Sequence, residues 1–492
     1  MRERTQKLIV LLALVLVAVL AVVAATDVTI AKKTLEQWDN DEMPPMTDVA
    51  SLQLHLPVGM YVLTLGVALI MLAWLFTRRD VKLHWVTLVL ILCGGLMIAI
   101  GKRPDQRLAW DTDTHRMWVY IFSTWEHYTL VDYLASFNTW FFSYLPYSLG
   151  VLLGKLLGLT ESWAWRLSFI TGVATYAAMC TAAVKITPRY KLSFMIAAVM
   201  PTCLYQASNV SYDAMVMAGV LLGLAILVRE MDNPTKALSG AAALGMTVTL
   251  TMCTLAKPVY SILLLLLWML PESKFGSRKR LWIFRLFVLV LLLMCLYSCL
   301  LGMYAEQVGG DYRMGAEVDS AAQIQFIMEN PLFFLREMVD FLTTNLPMFT
   351  VQSASTWAHW GLRRTVSVIC PIVLWVLCPL CFLGEKKDAL LTGRRRVWLF
   401  LMALIPMVVL TVTQYIVSTP VGSDSVAGMQ SRYILPVMPL LSLVLMLPRK
   451  LRERLQPAGR WVALAAAVIA LCCIYADGWV VVMEKMQGVR LG

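Results

Sequence analysis

The chain has 492 residues, of which 59% are hydrophobic and only 15% are charged. Soluble domains carry about a quarter charged residues, so this composition excludes an ordinary soluble protein and predicts a polytopic membrane protein. The 42 Lys and Arg against 31 Asp and Glu give a net charge of +11. No basic patch with interleaved aromatic residues accompanies that charge, so nucleic-acid binding is not expected.

Apolar runs long enough to cross a bilayer core of about 30 Å predict an all-α fold with about thirteen transmembrane helices, within a range of about 11 to 14. In chain order the runs cover residues 7–25, 57–77, 83–101, 164–185, 190–206, 211–228, 237–256, 258–271, 282–302, 365–384, 397–418, 432–448 and 461–477.

The linkers between these runs fall into two groups. One group is short and basic, and with the flanking Lys185 and Arg285 it holds 26 of the 42 Lys and Arg. Basic residues accumulate in cytoplasmic loops, so we expect these linkers and the N-terminus in the cytoplasm and the C-terminus outside it. The other group includes two long loops, 102–163 and 303–364, which are expected on the extracytoplasmic face.

Both long loops contain apolar segments that favour helices lying in the membrane surface. Residues 137–159 are aromatic and apolar but are interrupted by Pro146 and Gly150, and residues 320–347 repeat apolar side chains at helical spacing. The chain is therefore divided into an N-terminal helix pair, a transmembrane module with the first long loop, the second long loop, and C-terminal transmembrane helices. These regions cover residues 1–82, 83–302, 303–364 and 365–492.

The first long loop contains the segment DTDTH, which places Asp111, Asp113 and His115 at alternate positions. Carboxylates beside a histidine are candidates for acid–base chemistry or for metal binding. In a helix Asp111 and His115 would share a face, whereas in an extended segment all three side chains would share one. The alternative is a solvated loop or a helix start, where aspartates favour the helix dipole.

Charged residues at the predicted outer ends of the apolar runs form a second group of candidates. Lys257, beside Pro258, is costly in an apolar run unless it has a function or snorkels to the interface. Arg432, which is followed by Tyr433, begins another run. Both cations and the tyrosine are candidates for substrate binding.

Three further residues have two readings each. Arg363 and Arg364 precede an apolar run and are either substrate ligands or interfacial anchors. Asp213 begins a run and is either an acid of the N-cap region or a second site carboxylate.

From about residue 84 to 450 the chain resembles a bacterial family of integral membrane proteins known only as a domain of unknown function. That family is similar to the C-type glycosyltransferases (the GT-C fold), which use polyprenyl-phosphate-linked sugars. The family motif usually reads Asp-Glu with a Pro before the His, and this chain differs from it and adds two spans before the motif. The resemblance rests on DTDTH (111–115), YLPYSLGVLLGKLLGLTESWAWRLSF (144–169), YQASNVSYDAMVMAGVLLGLAI (205–226), LAKPVYSILLLLL (255–267), QIQFIMENPLFFL (323–335) and GMQSRYILPVMPLL (428–441).

The resemblance implies a glycosyltransferase of the bacterial cytoplasmic membrane. It would move a sugar from a polyprenyl-phosphate donor to an envelope glycan or lipid acceptor on the extracytoplasmic face. A carboxylate must then remove the acceptor proton while cations hold the departing phosphate. Asp111 and Asp113 are candidates for the base, and we favour Asp111, four residues before His115. A divalent ion, Mg or Mn, would use Asp113 and His115, and the sequence leaves its presence open.

Two other functions stay open. One is a transporter or flippase of lipid-linked glycans, and the other is a non-catalytic component of envelope polysaccharide assembly. Inverted repeats and charges midway through the membrane would indicate a transporter, and the sequence predicts neither. It also contains no Walker A or His-Glu-x-x-His motif, so ATP-driven transport and metalloprotease activity have no support.

Overall fold

A computed structural model describes residues 58–77, 81–101, 112–123, 141–252, 254–306, 318–345, 390–444, 454 and 458–487. Within these residues every element is helical and no strand occurs. The α-helices are α1 (Val58–Thr77), α2 (Leu83–Gly101), α3 (Thr112–Ser123), α4 (Phe141–Leu156), α5 (Glu161–Ile186), α6 (Lys191–Ala198), α7 (Pro201–Ala207), α8 (Tyr212–Asp232), α9 (Gly240–Met252), α10 (Arg278–Glu306), α11 (Ser320–Glu329), α12 (Pro331–Asp340), α13 (Gly393–Val417), α14 (Met438–Val444) and α15 (Gly459–Gln487). The 3-10 helices are Pro258–Met269, Glu272–Lys274 and Ser431–Val437, and Phe341–Asn345 is π-helical.

Within the described ranges, five helices are long and apolar enough to cross a membrane, namely Leu83–Ile100, Glu161–Ile186, Tyr212–Asp232, Arg278–Tyr297 and Gly393–Val417. Shorter apolar helices lie at Leu63–Thr77, Gly240–Thr251, Pro258–Met269, Arg432–Val444 and Trp461–Cys472. The all-helical membrane fold expected from composition is therefore confirmed. The predicted runs 7–25 and 365–384 lie outside the described residues, so the number of thirteen spans stays a prediction.

Two apolar segments differ from the form that their sequence suggests. The run 190–206 is not one helix, because α6 ends at Ala198 and α7 begins at Pro201. Proline lacks the N–H that would continue a helix but fits its first turn, so Pro201 starts a new helix. In contrast, residues 141–156 of the segment 137–159 form the single helix α4, which continues through Pro146.

Helix α8 lies at the centre of the described bundle and is the most completely buried of its five candidate spans. Ion pairs lie at its C-terminal end. Lys274 Nζ is 2.8 Å from Glu230 Oε2, and its side chain is fully buried. Arg189 also pairs with Asp232. These contacts bring together the linkers after α5, α8 and the helix Pro258–Met269, all of which the sequence assigns to the cytoplasmic side.

Helices α4 and α5 pack closely and antiparallel through glycines. A Cβ atom on Gly154 would lie 2.6 Å from Ala164 Cα, and one on Gly150 would lie 2.4 Å from Ser168 Cα. Glycines four residues apart allow helix backbones to approach closely in membranes. The tyrosines of α4 are buried against α5 as a result, and Tyr147 packs on the glycine at position 172.

We predict that Gly150→Ala separates α4 from α5 and destabilises the protein by about 1–3 kcal/mol, as over-packing does elsewhere. The measurement is the Tm of the purified protein in detergent. Gly66→Ala is the control, because no atom lies within 4 Å of the position of its Cβ. Equal Tm values for the two variants would contradict the close packing of α4 on α5.

Candidate functional site

The candidate site begins with the first turn of α8. Ser211 is the N-cap residue, and its Oγ accepts a hydrogen bond of 3.3 Å from the backbone N–H of Asp213. Asp213 is only 5% exposed. A carboxylate in the first turn interacts favourably with the helix dipole. Asp213 therefore takes part in the start of α8, although its side chain also has a second set of partners.

Two cations bind the carboxylate of Asp213, one at each oxygen. Lys257 Nζ lies 2.7 Å from Oδ1, and Arg432 Nε lies 2.9 Å from Oδ2. Their side chains are only 11% and 13% exposed. Lys257 directly precedes the 3-10 helix Pro258–Met269, and Arg432 is the second residue of Ser431–Val437. We call Asp213, Lys257 and Arg432 the charged triad.

Tyrosine rings surround the triad. Lys257 Nζ lies 3.7 Å from the centroid of the Tyr433 ring and 5.1 Å from that of Tyr212. The Tyr260 hydroxyl donates a hydrogen bond to the backbone carbonyl of Tyr433. Aromatic faces attract a nearby ammonium group and limit its movement. Tyr433, a predicted substrate-binding residue, thus supports Lys257 directly.

His115 of the DTDTH segment lies next to this cluster. It is 6% exposed, and its Nδ1 shares a hydrogen bond with the Tyr144 hydroxyl. Its ring packs edge-on against Tyr212 at 5.1 Å between centroids. Because Tyr212 also faces Lys257, one aromatic ring connects the histidine with the charged triad.

Of the remaining predicted site residues, the structure describes some and not others. Asp113 lies in the first turn of the helix Thr112–Ser123, so residues 112–115 of the segment are helical. Asp111, Arg363 and Arg364 lie outside the described residues, and their roles stay predictions. No group of three metal-ligating side chains is found in the described part of the chain, and the divalent ion also stays a prediction.

Sequence reasoning did not identify three tyrosines of the site, Tyr260, Tyr144 and Tyr212. Tyr144 begins one of the segments quoted for the resemblance, and Tyr212 directly precedes Asp213. Their roles depend on how α3, α4 and α8 meet. No local pattern in the sequence indicates those contacts.

The depth of the site follows from the packing of α4 on α5. Tyr147 packs on Gly172, which lies 11 residues after Glu161 and hence about 16 Å along the helix. Tyr144 lies one turn nearer the beginning of α4, and so deeper along α5. The charges of the triad lie at the beginnings of helices, as expected.

A comparison with known families places this architecture. Residues 140–441 match a family described as predicted membrane protein (DUF2142). The chain belongs to the DUF2142 family. The expected membership of a membrane family of unknown function is therefore confirmed. The match includes the charged triad, Tyr144 and Tyr212, but it begins after the DTDTH segment. No curated protein matches this DUF2142 chain, and no solved structure does.

We predict that Asp213 and Lys257 are energetically coupled. Breaking a buried ion pair by removing one partner costs about 3–5 kcal/mol, because an uncompensated charge stays buried. Asp213→Asn and Lys257→Met should therefore each lower the Tm, and the double variant should lose less than the sum of the two.

Lys274→Met provides the control for this cycle, because it breaks the ion pair at the other end of α8. Seventeen residues separate Asp213 from Glu230, which corresponds to about 25 Å along the helix. Asp213→Asn and Lys274→Met should then have additive effects. If the Tm changes of Asp213→Asn and Lys257→Met were also additive, the pairing of Asp213 with Lys257 would be contradicted.

Proposed function

We propose that this DUF2142 protein is a membrane glycosyltransferase of the GT-C type. It transfers a sugar from a polyprenyl-phosphate donor to an envelope glycan or lipid acceptor. The observation that carries the proposal is the convergence of His115 with Asp213, Lys257 and Arg432 at one end of α8. Separate segments of the chain supply these four residues, and the sequence alone marks each as a candidate.

The triad supplies the groups that a departing phosphate needs. An ammonium has three donors and a guanidinium has five, so contact with Asp213 uses only part of each cation's capacity. Asp213 holds both cations in place before any ligand arrives. Donors fixed in advance stabilise developing charge more effectively than mobile ones, because they need no reorganisation during the reaction. Lys257 and Arg432 are therefore assigned to the donor phosphate.

The DTDTH segment supplies the acid–base groups of the proposed reaction. We favour Asp111 as the base, because it lies four residues before His115 in the sequence and His115 contacts Tyr144 and Tyr212 of the site. Asp111 removes the proton of the acceptor hydroxyl, and His115 orients that carboxylate or contacts the phosphate. Asp113 is the neighbouring acid, or a ligand where a divalent ion takes part.

The position of the site suits a substrate that arrives through the lipid. Tyr147, one turn from Tyr144 on α4, packs on Gly172 in the interior of α5 rather than at the exposed beginning of that helix. Leu149 and Leu153 of α4, which also carries Tyr144, are 46% and 44% exposed. We place this end of α8 on the extracytoplasmic face of the bacterial cytoplasmic membrane, with the N-terminus inside and the C-terminus outside, because the basic linkers meet at the opposite end.

Helix α12 of the second long loop supports an interfacial position for that loop. Leu332, Leu335 and Val339 lie on one face and are 81%, 57% and 52% exposed. Phe334 packs on Tyr415, near the end of the candidate span Gly393–Val417. A helix that exposes apolar side chains at the level where a span ends is typical of an interfacial helix.

We predict that Leu332 of α12 enters the lipid headgroup layer. An environment-sensitive fluorophore on Leu332→Cys, in a cysteine-free background in liposomes, should emit at a shorter wavelength than the same label on Asp340→Cys. Asp340 is the control because it is exposed on the charged side of the same helix. Identical emission at both positions would contradict the interfacial position.

The proposed activity is tested with purified protein, radiolabelled polyprenyl-phosphate sugars and membrane glycans as acceptors. Wild type should release polyprenyl phosphate as the glycan becomes labelled. Asp111→Asn should lower turnover by about 10²–10⁴-fold, the usual contribution of a general base, with donor binding nearly unchanged. Asp113→Asn is the parallel variant. Wild-type turnover in both variants would show that neither aspartate is the base. Movement of the intact donor across the membrane, without release of polyprenyl phosphate, would favour a flippase.

We predict that Lys257→Ala weakens donor binding, because it removes a charge-assisted contact to phosphate worth about 1.5–3 kcal/mol, or roughly 10- to 150-fold in affinity. Lys274→Met is a matched control, since both lysines pair with carboxylates of α8. It should leave the affinity of the folded fraction unchanged. Equal affinities of wild type and Lys257→Ala for the donor would contradict the assignment of Lys257 to the donor phosphate.

A further inference from the structure

The second long loop contacts the turn that leads to Arg432 through one buried amide. Gln323 of α11 is fully buried. Its Oε1 accepts a hydrogen bond of 2.9 Å from the backbone N–H of Gly422, and its Nε2 donates one of 3.2 Å to the backbone carbonyl of Tyr415. Gln323 thus joins the end of α13 to the turn that follows it.

The turn has a backbone that suits these contacts. Gly422 has a φ of 73°, a conformation that glycine adopts readily, and a Cβ atom there would lie 3.3 Å from the ring of Phe326. The Tyr415 hydroxyl donates a hydrogen bond of 2.9 Å to the carbonyl of Ser423. Gln323 of α11 and Tyr415 of α13 therefore hold two adjacent residues of the turn, Gly422 and Ser423.

The rest of the turn connects these contacts with the charged triad. The backbone N–H of Ala427 donates a hydrogen bond of 3.0 Å to Thr419 Oγ1. Gly428 has a φ of 77° and packs against Gln414 and the residue at 418. The 3-10 helix with Arg432 begins directly afterwards, at Ser431. Hydrogen bonds and packing contacts thus hold the turn at Gly422, Ser423, Ala427 and Gly428, and the chain continues from there to Arg432.

We propose that Gln323 is a positioning residue that keeps Arg432 on Asp213 by holding the turn 418–430. The docking of α11 on α13 then sets the geometry of the charged triad. When Gln323 releases Gly422, the turn relaxes and Arg432 leaves the carboxylate. This role concerns the triad itself, and only its consequence for the donor phosphate rests on the proposed function.

The test measures whether the pairing of Arg432 with Asp213 depends on Gln323. In wild type, Arg432→Met should lower the Tm by more than it does in an Asp213→Asn background, because the pair exists only in the former. In a Gln323→Met background this difference should disappear. If Gln323→Met only lowers the overall stability, it lowers the Tm of all these variants alike. The difference between the two effects of Arg432→Met would then stay unchanged.

Gln325→Met is the matched control, because Gln325 lies on the same helix and its Nε2 donates a hydrogen bond to the exposed Glu329 of that helix rather than to the turn. It should preserve the difference seen in wild type. Tyr415→Phe removes one hydrogen bond from the same turn and should reduce the difference, which provides a milder variant if Gln323→Met does not fold. An unchanged difference in the variants that fold would overturn the proposal. No sugar donor is used, so the result is independent of the glycosyltransferase assay.

Discussion

The pairing of Asp213 with Lys257 and Arg432 is the constraint on which the arrangement of this bundle depends. A carboxylate that is 5% exposed among apolar helices is stable only with cations beside it, and those cations are equally costly without it. The three residues come from the start of α8, the segment before Pro258 and the helix that begins at Ser431. Their pairing therefore holds these three segments of the chain together.

The same constraint explains how chemistry can be located in so apolar a protein. The opposite end of α8 has its own buried pair, Glu230 with Lys274, so the central helix is held at both ends. Tyrosines and His115 surround the Asp213 end. Cations held by a carboxylate and bounded by aromatic faces form a preorganised site for an anion, which is the arrangement that the proposed transfer of a sugar from a lipid phosphate requires.

Much of this arrangement could be predicted from the sequence, for a physical reason. Charges such as Lys257 and Asp213 are costly in apolar runs, so each is conspicuous by itself. Their pairing was not predictable, because two readings of Asp213 were equally consistent with its position. Tyr144 could not be identified either, since its contact with His115 depends on the close packing of α4. The break before Pro201 had a signal in the sequence, the proline itself, but the apolar residues on both sides of it favoured a single span.

The most direct test of the central claim is a cryo-electron microscopy structure of the protein in a lipid nanodisc with polyprenyl phosphate. The account predicts phosphate density beside the charged triad, with an oxygen at a hydrogen-bond distance of about 2.7–3.2 Å from Lys257 Nζ. Density for the lipid phosphate at the other end of α8, beside Lys274, would contradict it.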